Sequence, residues 1–171
     1  FHSFLWASGG LFNDFYIHII DHCCWMKDAW PIKAQSLGGR HYRGSCVDQN
    51  FDSYAVEYTY ADGAKLFMQG RCMPGAYANF SSALHGSKGC AVASRSGDCG
   101  APSSTYAGQN VDDAKKLWQS EIPAGEANPY QNEWNDLVGA IREDKPYSEV
   151  EYGVMASLVA SLGRKAAHTG K

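Results

Sequence analysis

The sequence predicts an α+β fold with an open, mostly antiparallel β-sheet flanked by helices. Three observations support this class: a helical pattern opens the chain, several short alternating segments follow, and two helical patterns close it. Helices and strands segregated in this way are typical of α+β proteins, because parallel strands need a long crossover between them. We therefore expect residues 1–171 to form a single domain.

Composition narrows the possible functions. The chain has 171 residues, of which 44% are hydrophobic, and this suits one globular domain with a substantial core. A net charge of -3 provides no basic surface, so we expect no nucleic-acid partner. We also expect no membrane partner, since ionisable residues interrupt the longest apolar run. Six cysteines without a CxxC pair indicate reduced, buried thiols.

The first helix is predicted from Leu11 to Lys27. This segment is too long for a strand and lacks a period of two, and Pro31 follows shortly after it. Residues 51–60 alternate well, and Asp62-Gly63 is a turn signal, so residues 51–72 are predicted to form a β-hairpin.

Further short strands are predicted before two C-terminal helices. The candidate segments are YANFSSALHG, GCAVASR, SSTYAGQ and KKLWQSEI, and residues 96–104 are predicted to be a loop. Asn128 is predicted to cap the first C-terminal helix, with Pro129 at its first position. Ser148 and Glu151 are predicted to form the capping box of the last helix.

The first helix combines an apolar surface with four ionisable side chains. If Asp14 is set to zero and each residue advances by about 100°, then His18, Asp21 and His22 all fall within an arc of roughly 100°. The remaining surface is apolar, which predicts a buried helix whose polar arc meets partners or lines a cavity.

Three interpretations of this arc remain open from the pattern alone. The first is a structural polar seam between two packed elements. The second is a general acid/base site, in which Asp14 orients the imidazole of His18 one turn away. The third is a metal site, because His18 and His22 have the HxxxH spacing and Asp14 would supply a third ligand.

The same residues carry a resemblance to a known family. The run GGLFNDFYIHIID, with Gly9-Gly10, Asp14, His18 and Asp21, resembles the start of the second domain of the Gfo/Idh/MocA oxidoreductases, which include glucose–fructose oxidoreductase and inositol dehydrogenase. The ending, with AIR, KP, EYG and GR in that order, resembles the C-terminal helices of that family.

The resemblance implies a missing partner domain. Full-length members have a Rossmann domain that binds NAD or NADP, followed by a mainly antiparallel domain. This chain has no GxGxxG after a strand, and the lysine of the family's Glu-Lys-Pro motif is also absent. It therefore resembles a C-terminal fragment that carries the substrate-binding and oligomerisation domain, and we expect it to be inactive alone.

The resemblance also implies roles for particular residues. His18 would exchange a proton with the substrate hydroxyl as hydride moves to nicotinamide, and Asp14 would hold that imidazole or the substrate. Asp21 would contact substrate hydroxyls or remain structural. Trp6 and Tyr77 would line the sugar site, with ordinary packing as the alternative for both.

The implied partners are a small carbohydrate or polyol and a second copy of the chain. One face of the open sheet would form the subunit contact, and its alternating residues Phe51, Tyr54, Val56, Tyr58 and Tyr60 are candidates for that surface. The cluster Arg40, His41 and Arg43 is interpreted as solvated surface, with an acidic sugar or the cofactor as the alternative partner. His22 receives no role beyond helix packing.

Two further functions stand as alternatives to the dehydrogenase. They are an NAD-dependent glycoside hydrolase of the same family and a non-catalytic carbohydrate-binding or scaffold domain. The expected location is the cytoplasm, with export as the alternative.

Overall fold

The computed structural model describes residues 1–42, 45–95, 102–125 and 128–170, whose contacts divide into two compact units. Unit 1 contains residues 1–78 and 152–171, and unit 2 contains residues 79–151. The described strands form two open antiparallel sheets, and one isolated parallel bridge joins Gly89 to Gly108. The α+β class is therefore confirmed, with two sheets where one was expected.

Unit 1 has one three-stranded sheet with helical segments on either side of it in sequence. Its elements are a π-helical turn (Phe12–Tyr16), helix α1 (Ile17–Lys27), strands β1 (Lys33–Gly39), β2 (Ser53–Thr59) and β3 (Lys65–Arg71), and helix α3 (Val150–Thr169), which belongs to this unit from residue 152 onward. The sheet order is β1-β2-β3. The predicted first helix and the predicted hairpin over residues 51–72 are both confirmed.

Local chemistry explains where these elements end. Helix α1 stops after Lys27 because Asp28 adopts the left-handed conformation, with φ of 52°. The N–H of Ala29 then donates to the carbonyl of Cys24 at 3.3 Å. In the β2–β3 turn, Gly63 has φ of 87°, which glycine adopts without strain. The carboxylate of Asp62 accepts from the N–H of Ala64 at 3.1 Å and closes this turn.

The core of unit 1 lies between the inner face of the sheet and the helices. It is formed by every fourth residue of the first helix (Phe12, Tyr16, Ile20, Cys24), by the inward side chains of β2 and β3 (Tyr54, Val56, Tyr58, Met68) and by small residues of α3 (Val159, Ala160, Ala167). Burial of each large apolar side chain contributes about 1.5–3 kcal/mol. This continuous cluster fixes the first helix against the sheet.

The alternating aromatics of β2 face this core, which corrects the prediction that they form a surface for a second subunit. Tyr54, Val56, Tyr58 and Tyr60 are each at most 4% exposed, and Phe51 packs against the cluster. Strand alternation predicted that these residues share a face, but it does not say which face is buried. The outward face instead carries Leu37, Ala55 and Phe67 among polar side chains.

The first helix is also less buried than its composition predicted. Phe15 is 45% exposed and Trp25 is 74% exposed, so its apolar residues are not all in the core. The segment Phe12–Tyr16 is a π-helical turn, whereas the prediction of a shared polar arc took an advance of about 100° per residue, as in a regular α-helix. The buried stripe is therefore narrow, and one side of the helix is open.

Unit 2 is a four-stranded antiparallel meander followed by a helix. Its elements are strands β4 (Ser82–Gly86), β5 (Gly89–Ser94), β6 (Ser104–Ala107) and β7 (Lys116–Gln119), a short 3₁₀ turn (Asp113–Lys115) and helix α2 (Pro129–Arg142). The sheet order is β4-β5-β6-β7, and its small core contains Cys90, Val92 and Tyr106. The predicted loop lies mostly outside the described residues, since 96–101 are not described.

The two C-terminal helices begin differently from one another. Asn128 caps α2 as predicted, and its side chain accepts from the N–H of Gln131 at 3.3 Å. Helix α3 begins at Val150, two residues after Ser148, and its capping box with Glu151 stays a prediction. Within the described residues, neither these helices nor the first one is long and apolar enough to cross a membrane.

The five described cysteines are free thiols, as predicted. Only Cys24 and Cys90 are buried, whereas Cys46 and Cys72 are exposed and Cys23 is intermediate. The expectation that all of these thiols are buried is therefore wrong for two of them. Burial raises the pKa of the Cys24 thiol, whose sulfur lies 3.6 Å from the Tyr60 hydroxyl.

The contact between α3 and the sheet yields a stability prediction. A Cβ at Gly163 would overlap the Tyr58 hydroxyl and lie 2.9 Å from Cζ of Phe12. Gly163→Ala should therefore lower the free energy of unfolding by roughly 1–3 kcal/mol, as overpacked cores do. Chemical denaturation followed by circular dichroism would measure this.

The matched control lies on the same helix. A Cβ at Gly153 meets nothing within 4 Å. Gly153→Ala should leave stability unchanged or raise it by up to about 1 kcal/mol through helix propensity. Equal effects of the two substitutions would contradict the close packing at Gly163.

Candidate functional site

The turn that opens the first helix depends on glycine. Gly10 has φ of 64°, and a Cβ at this position would lie 2.8 Å from Cγ of Asn50. A side chain at Gly10 would therefore combine backbone strain with overlap. The chain turns closely over Asn50 here, which explains why the second position of the Gly9-Gly10 pair is a glycine.

Asp14 is held by two donors from the segment before the helix. The Ser8 hydroxyl donates to Oδ2 of Asp14 at 2.6 Å, and Nε2 of His2 lies 3.0 Å from the same oxygen. The N–H of Gly10 donates to the Ser8 hydroxyl oxygen at 2.8 Å, which orients that hydroxyl toward the carboxylate. Oδ2 of Asp14 is thus bound by Ser8 and His2.

His18 lies on the open side of the helix, one turn after Asp14. Both side chains are exposed, as are the neighbouring rings of Phe15 and Trp25. The Phe15 and His18 rings are nearly perpendicular, with a centroid distance of 6.3 Å and an interplanar angle of 86°. This face presents an imidazole, a carboxylate and two aromatic rings to solvent, a combination that suits the hydroxyls and the apolar face of a sugar.

Asp21 has a different environment from Asp14 and His18. It is half-buried, and the Tyr152 hydroxyl of α3 donates to its carboxylate. Burial, and then this hydrogen bond, raise the pKa of Tyr152. The other oxygen, Oδ1, is buried without a partner among the described residues. The bond to α3 favours the structural alternative for Asp21, and its contact with substrate remains a prediction.

The two predicted aromatic lining residues are on the surface. Trp6 is 83% exposed and its ring contacts Phe4 at a centroid distance of 5.9 Å. Tyr77 is 84% exposed in the segment after β3. Neither ring is part of the core, so core packing does not account for either residue. Their role in sugar binding remains a prediction.

The remaining candidates from the sequence are scattered. His22 is half-buried on the first helix. Arg40 donates to the carbonyl of Cys46, and the N–H of His41 donates to Asp52. Arg43 lies outside the described residues. The solvated-surface interpretation of this basic cluster is consistent with the exposure of Arg40 and His41.

Asp52 organises the loop that precedes β2. It is 1% exposed and accepts from the N–H groups of His41 and Tyr42 and from the Ser53 hydroxyl. Burial raises the pKa of this carboxyl, but these donors outweigh burial, so its pKa lies below the ordinary value. Asp52 is therefore a structural anion rather than a proton acceptor at neutral pH.

A second polar cluster lies beneath the Gly9-Gly10 turn. Nη2 of Arg164 on α3 donates to Oδ1 of Asn50 at 3.1 Å, and the N–H of Asn50 donates to Asp48 at 3.0 Å. His168 stacks on Phe51 at a centroid distance of 4.0 Å. Burial and the Arg164 guanidinium lower the pKa of His168, so this imidazole is neutral at pH 7.

Geometry gives no support to the metal interpretation. Among the residues that the structure describes, no three histidine, cysteine, aspartate or glutamate side chains converge to hold an ion. His18 and His22 have the required spacing in sequence, but among the described residues the fold brings no third ligand close to both of them.

Sequence reasoning missed three residues at this site: His2, Ser8 and Asn50. Ser8 directly precedes the Gly9-Gly10 pair, and a hydroxyl beside a tight turn was a signal for a local hydrogen bond. His2 and Asn50 approach Asp14 and Gly10 through the fold, and no local pattern indicates such contacts.

Comparison with known proteins yields a likeness of fold. Neither a family model nor a curated protein matches the sequence. The fold matches a solved structure of aldose-aldose oxidoreductase from Caulobacter crescentus complexed with glycerol, with a TM-score of 0.74 and 13% sequence identity. That match covers 95% of this chain and 46% of the oxidoreductase chain, so this chain spans about half its length.

The likeness therefore establishes a fold shared with a sugar oxidoreductase. The fold is therefore consistent with the second domain that the sequence resemblance implied.

The environment of His168 predicts how stability depends on pH. Its pKa in the folded chain lies below the ordinary value of 6.5, so the unfolded chain binds more protons between these two values. Stability from this group is present above pH 6.5 and is lost as pH falls through that window. His168→Gln should reduce the slope of unfolding free energy against pH, measured by denaturant titration. Identical slopes in the two proteins would contradict this assignment.

Proposed function

We propose that this chain is the substrate-binding domain of an NAD(P)-dependent oxidoreductase that acts on a hydroxyl of a sugar, sugar derivative or polyol. The observation that carries the proposal is the open face of the first helix, where Asp14 and His18 stand one turn apart beside exposed aromatic rings. The shared fold with aldose-aldose oxidoreductase supports it independently of the motif.

The residues on this face have complementary tasks. The imidazole of His18 is in the open and accepts the proton that a substrate hydroxyl releases when its carbon is oxidised. Asp14 keeps one oxygen bound by Ser8 and His2, and its other oxygen is directed to a second substrate hydroxyl. Phe15 and Trp25 supply apolar surface for the ring or chain of the sugar.

The described residues do not themselves fit a dinucleotide. Both sheets are antiparallel meanders, whereas the dinucleotide fingerprint requires a parallel βαβ unit with a glycine-rich turn. We therefore assign NAD or NADP to a part of the protein outside this chain, and we expect the chain alone to be inactive. The tasks that remain for this chain are to bind the substrate and to take its proton.

Removal of the His18 imidazole tests the proposal. In the full-length protein, His18→Ala should lower kcat against a responsive sugar or polyol by about 10²- to 10⁴-fold, because a positioned general base is lost. The measurement is nucleotide reduction, followed by absorbance over a panel of sugars and polyols.

The matched control for His18→Ala is a histidine of unit 2. His85, an exposed histidine of β4 in unit 2, lies on a different unit, and His85→Ala should retain wild-type turnover. Unchanged turnover in His18→Ala would exclude His18 from the mechanism.

A non-catalytic carbohydrate-binding domain is the second candidate. The observation that favours it is the exposure of Trp6, Trp25 and Tyr77, since solvent-exposed aromatic rings suit sugar stacking without any chemistry. The same panel separates the two functions. Binding of a sugar without turnover in the full-length protein would select this candidate.

We also propose that the protein forms a homo-oligomer through the outward face of the unit 1 sheet. Leu37 is 79% exposed and Phe67 is 69% exposed, and both stand beside Ala55 on the side opposite the core. Polar side chains, among them Gln35, Glu57 and Gln69, surround these residues. An apolar centre with a polar rim is the usual anatomy of a subunit contact.

Substitution of Phe67 tests this contact. Phe67→Lys should weaken self-association by at least about tenfold, as loss of a central aromatic residue does. Sedimentation equilibrium over a range of concentrations would measure the change. Leu117→Lys is the matched control, because Leu117 is 70% exposed on β7 in unit 2. A wild-type chain that stays monomeric at high concentration would contradict the proposed oligomer.

A further inference from the structure

The segment before the first helix is held by the loop between β1 and β2. The N–H of Gln49 donates to the carbonyl of Ser3 at 2.7 Å, and Oε1 of Gln49 accepts from the N–H of Leu5 at 3.0 Å. Nδ2 of Asn50 donates to the carbonyl of His2 at 2.6 Å. Three hydrogen bonds thus fix residues 2–5 to a loop that is distant in sequence.

Asn50 is the central residue of this contact. It is 4% exposed, and its side chain is bound at both ends, by Arg164 at Oδ1 and by the His2 carbonyl at Nδ2. Arg164 belongs to α3, which is packed into the core of unit 1. The side-chain amide therefore connects a rigid helix to the segment that carries His2.

Two routes lead from Asn50 to Asp14. The first runs through the backbone of His2, whose Nε2 lies 3.0 Å from Oδ2 of Asp14. The second runs through Gly10, which packs on Asn50 and donates to Ser8, whose hydroxyl binds the same oxygen of Asp14. Both routes end on Oδ2 of Asp14. Because Oδ2 is held from two sides, the direction of the second carboxylate oxygen, Oδ1, is constrained as well.

We propose that Asn50 is a positioning residue for the Asp14 carboxylate, and that His2 is a second imidazole of the site beside His18. This inference rests on the proposed function. The two donors at Oδ2 orient the carboxylate so that its other oxygen, Oδ1, is presented to a substrate hydroxyl. Displacement of a positioned group by about 1 Å can cost on the order of 10²-fold in rate.

The first test uses the 171-residue chain and measures whether the His2 side chain remains in its ordered position. Asn50→Asp keeps an oxygen acceptor for Arg164 but replaces the donor to the His2 carbonyl by a carboxylate oxygen. The ring signals of His2, observed by nuclear magnetic resonance, should move toward those of an unstructured peptide. Asn79→Ala is the control, because Asn79 lies in unit 2 and its side chain accepts from Ser81 at 2.8 Å.

The folding of unit 1 in the Asn50→Asp variant is measured separately from the position of the His2 side chain. Amide signals of β1–β3 should be retained in Asn50→Asp, which shows that unit 1 remains folded. If that variant does not fold, the His2 ring signals are measured in Arg164→Lys instead, because this substitution weakens the contact between Asn50 and α3 and keeps the positive charge. His2 ring signals that do not move in the folded variant would overturn the inference.

The second test uses the full-length protein with a responsive substrate. Asn50→Asp should lower kcat/KM by about 10- to 100-fold. Adding His2→Gln should cause little further loss, because both changes release the same carboxylate. A purely structural role would instead give additive losses, and additivity would overturn the inference.

Failure of the proposed function gives a different result. If Asp14→Asn and His18→Ala both leave turnover unchanged, the proposed function is wrong, and the His2 signals still decide whether Asn50 positions the segment. If Asp14→Asn is inactive and Asn50→Asp has wild-type kcat/KM, the function stands and the positioning role of Asn50 is refuted.

Discussion

The close approach of α3 to the sheet is the constraint on which unit 1 depends. Tyr58 is completely buried, and its hydroxyl donates to the carbonyl of Val159 at 2.9 Å. This approach requires small residues on the facing side of α3, and Ala160, Gly163 and Ala167 supply them. Phe12 occupies the remaining space beside Gly163. The start of the first helix is therefore fixed by the same contact that closes the core.

This contact determines which side of the first helix is open. The buried stripe contains Phe12, Tyr16, Ile20 and Cys24, spaced four residues apart. Asp14 and His18 fall between those positions and emerge on the solvent side. The helix starts with a π-helical turn at Phe12–Tyr16. Such turns are frequent at functional sites, because the extra residue in the turn changes the direction of the side chains. The packing of the core thus sets the direction of the candidate catalytic groups.

The sequence allowed good prediction of local elements and poor prediction of long-range contacts. Helix periodicity and the Asp62-Gly63 turn are local signals, and the predicted first helix and hairpin agree with the structure. Alternation along β2 grouped Tyr54, Tyr58 and Tyr60 correctly, but the buried side of a strand depends on what packs against it. Only the fold shows that α1 and α3 occupy that side.

The same limit applies to the candidate site. The spacing of Asp14 and His18 pointed to one face, and both residues do lie on the open side of the helix. Nothing in that spacing indicated that Ser8 and His2 bind the carboxylate. His2 reaches Asp14 because residues 48–50 hold its segment, a contact across nearly fifty residues that no periodic pattern encodes.

Exposure also limits what these groups can do in this chain alone. His2 and Asp14 retain 48% and 32% of their side-chain exposure, so water screens the attraction between them. Electrostatic stabilisation of a reacting hydroxyl is strong only where water is excluded, because the effective dielectric constant then falls. The open face has the groups for proton transfer but no cover within the described part of unit 1. A second surface that closes over Asp14 and His18 would exclude water and so strengthen the electrostatic interactions that the proposed proton transfer needs.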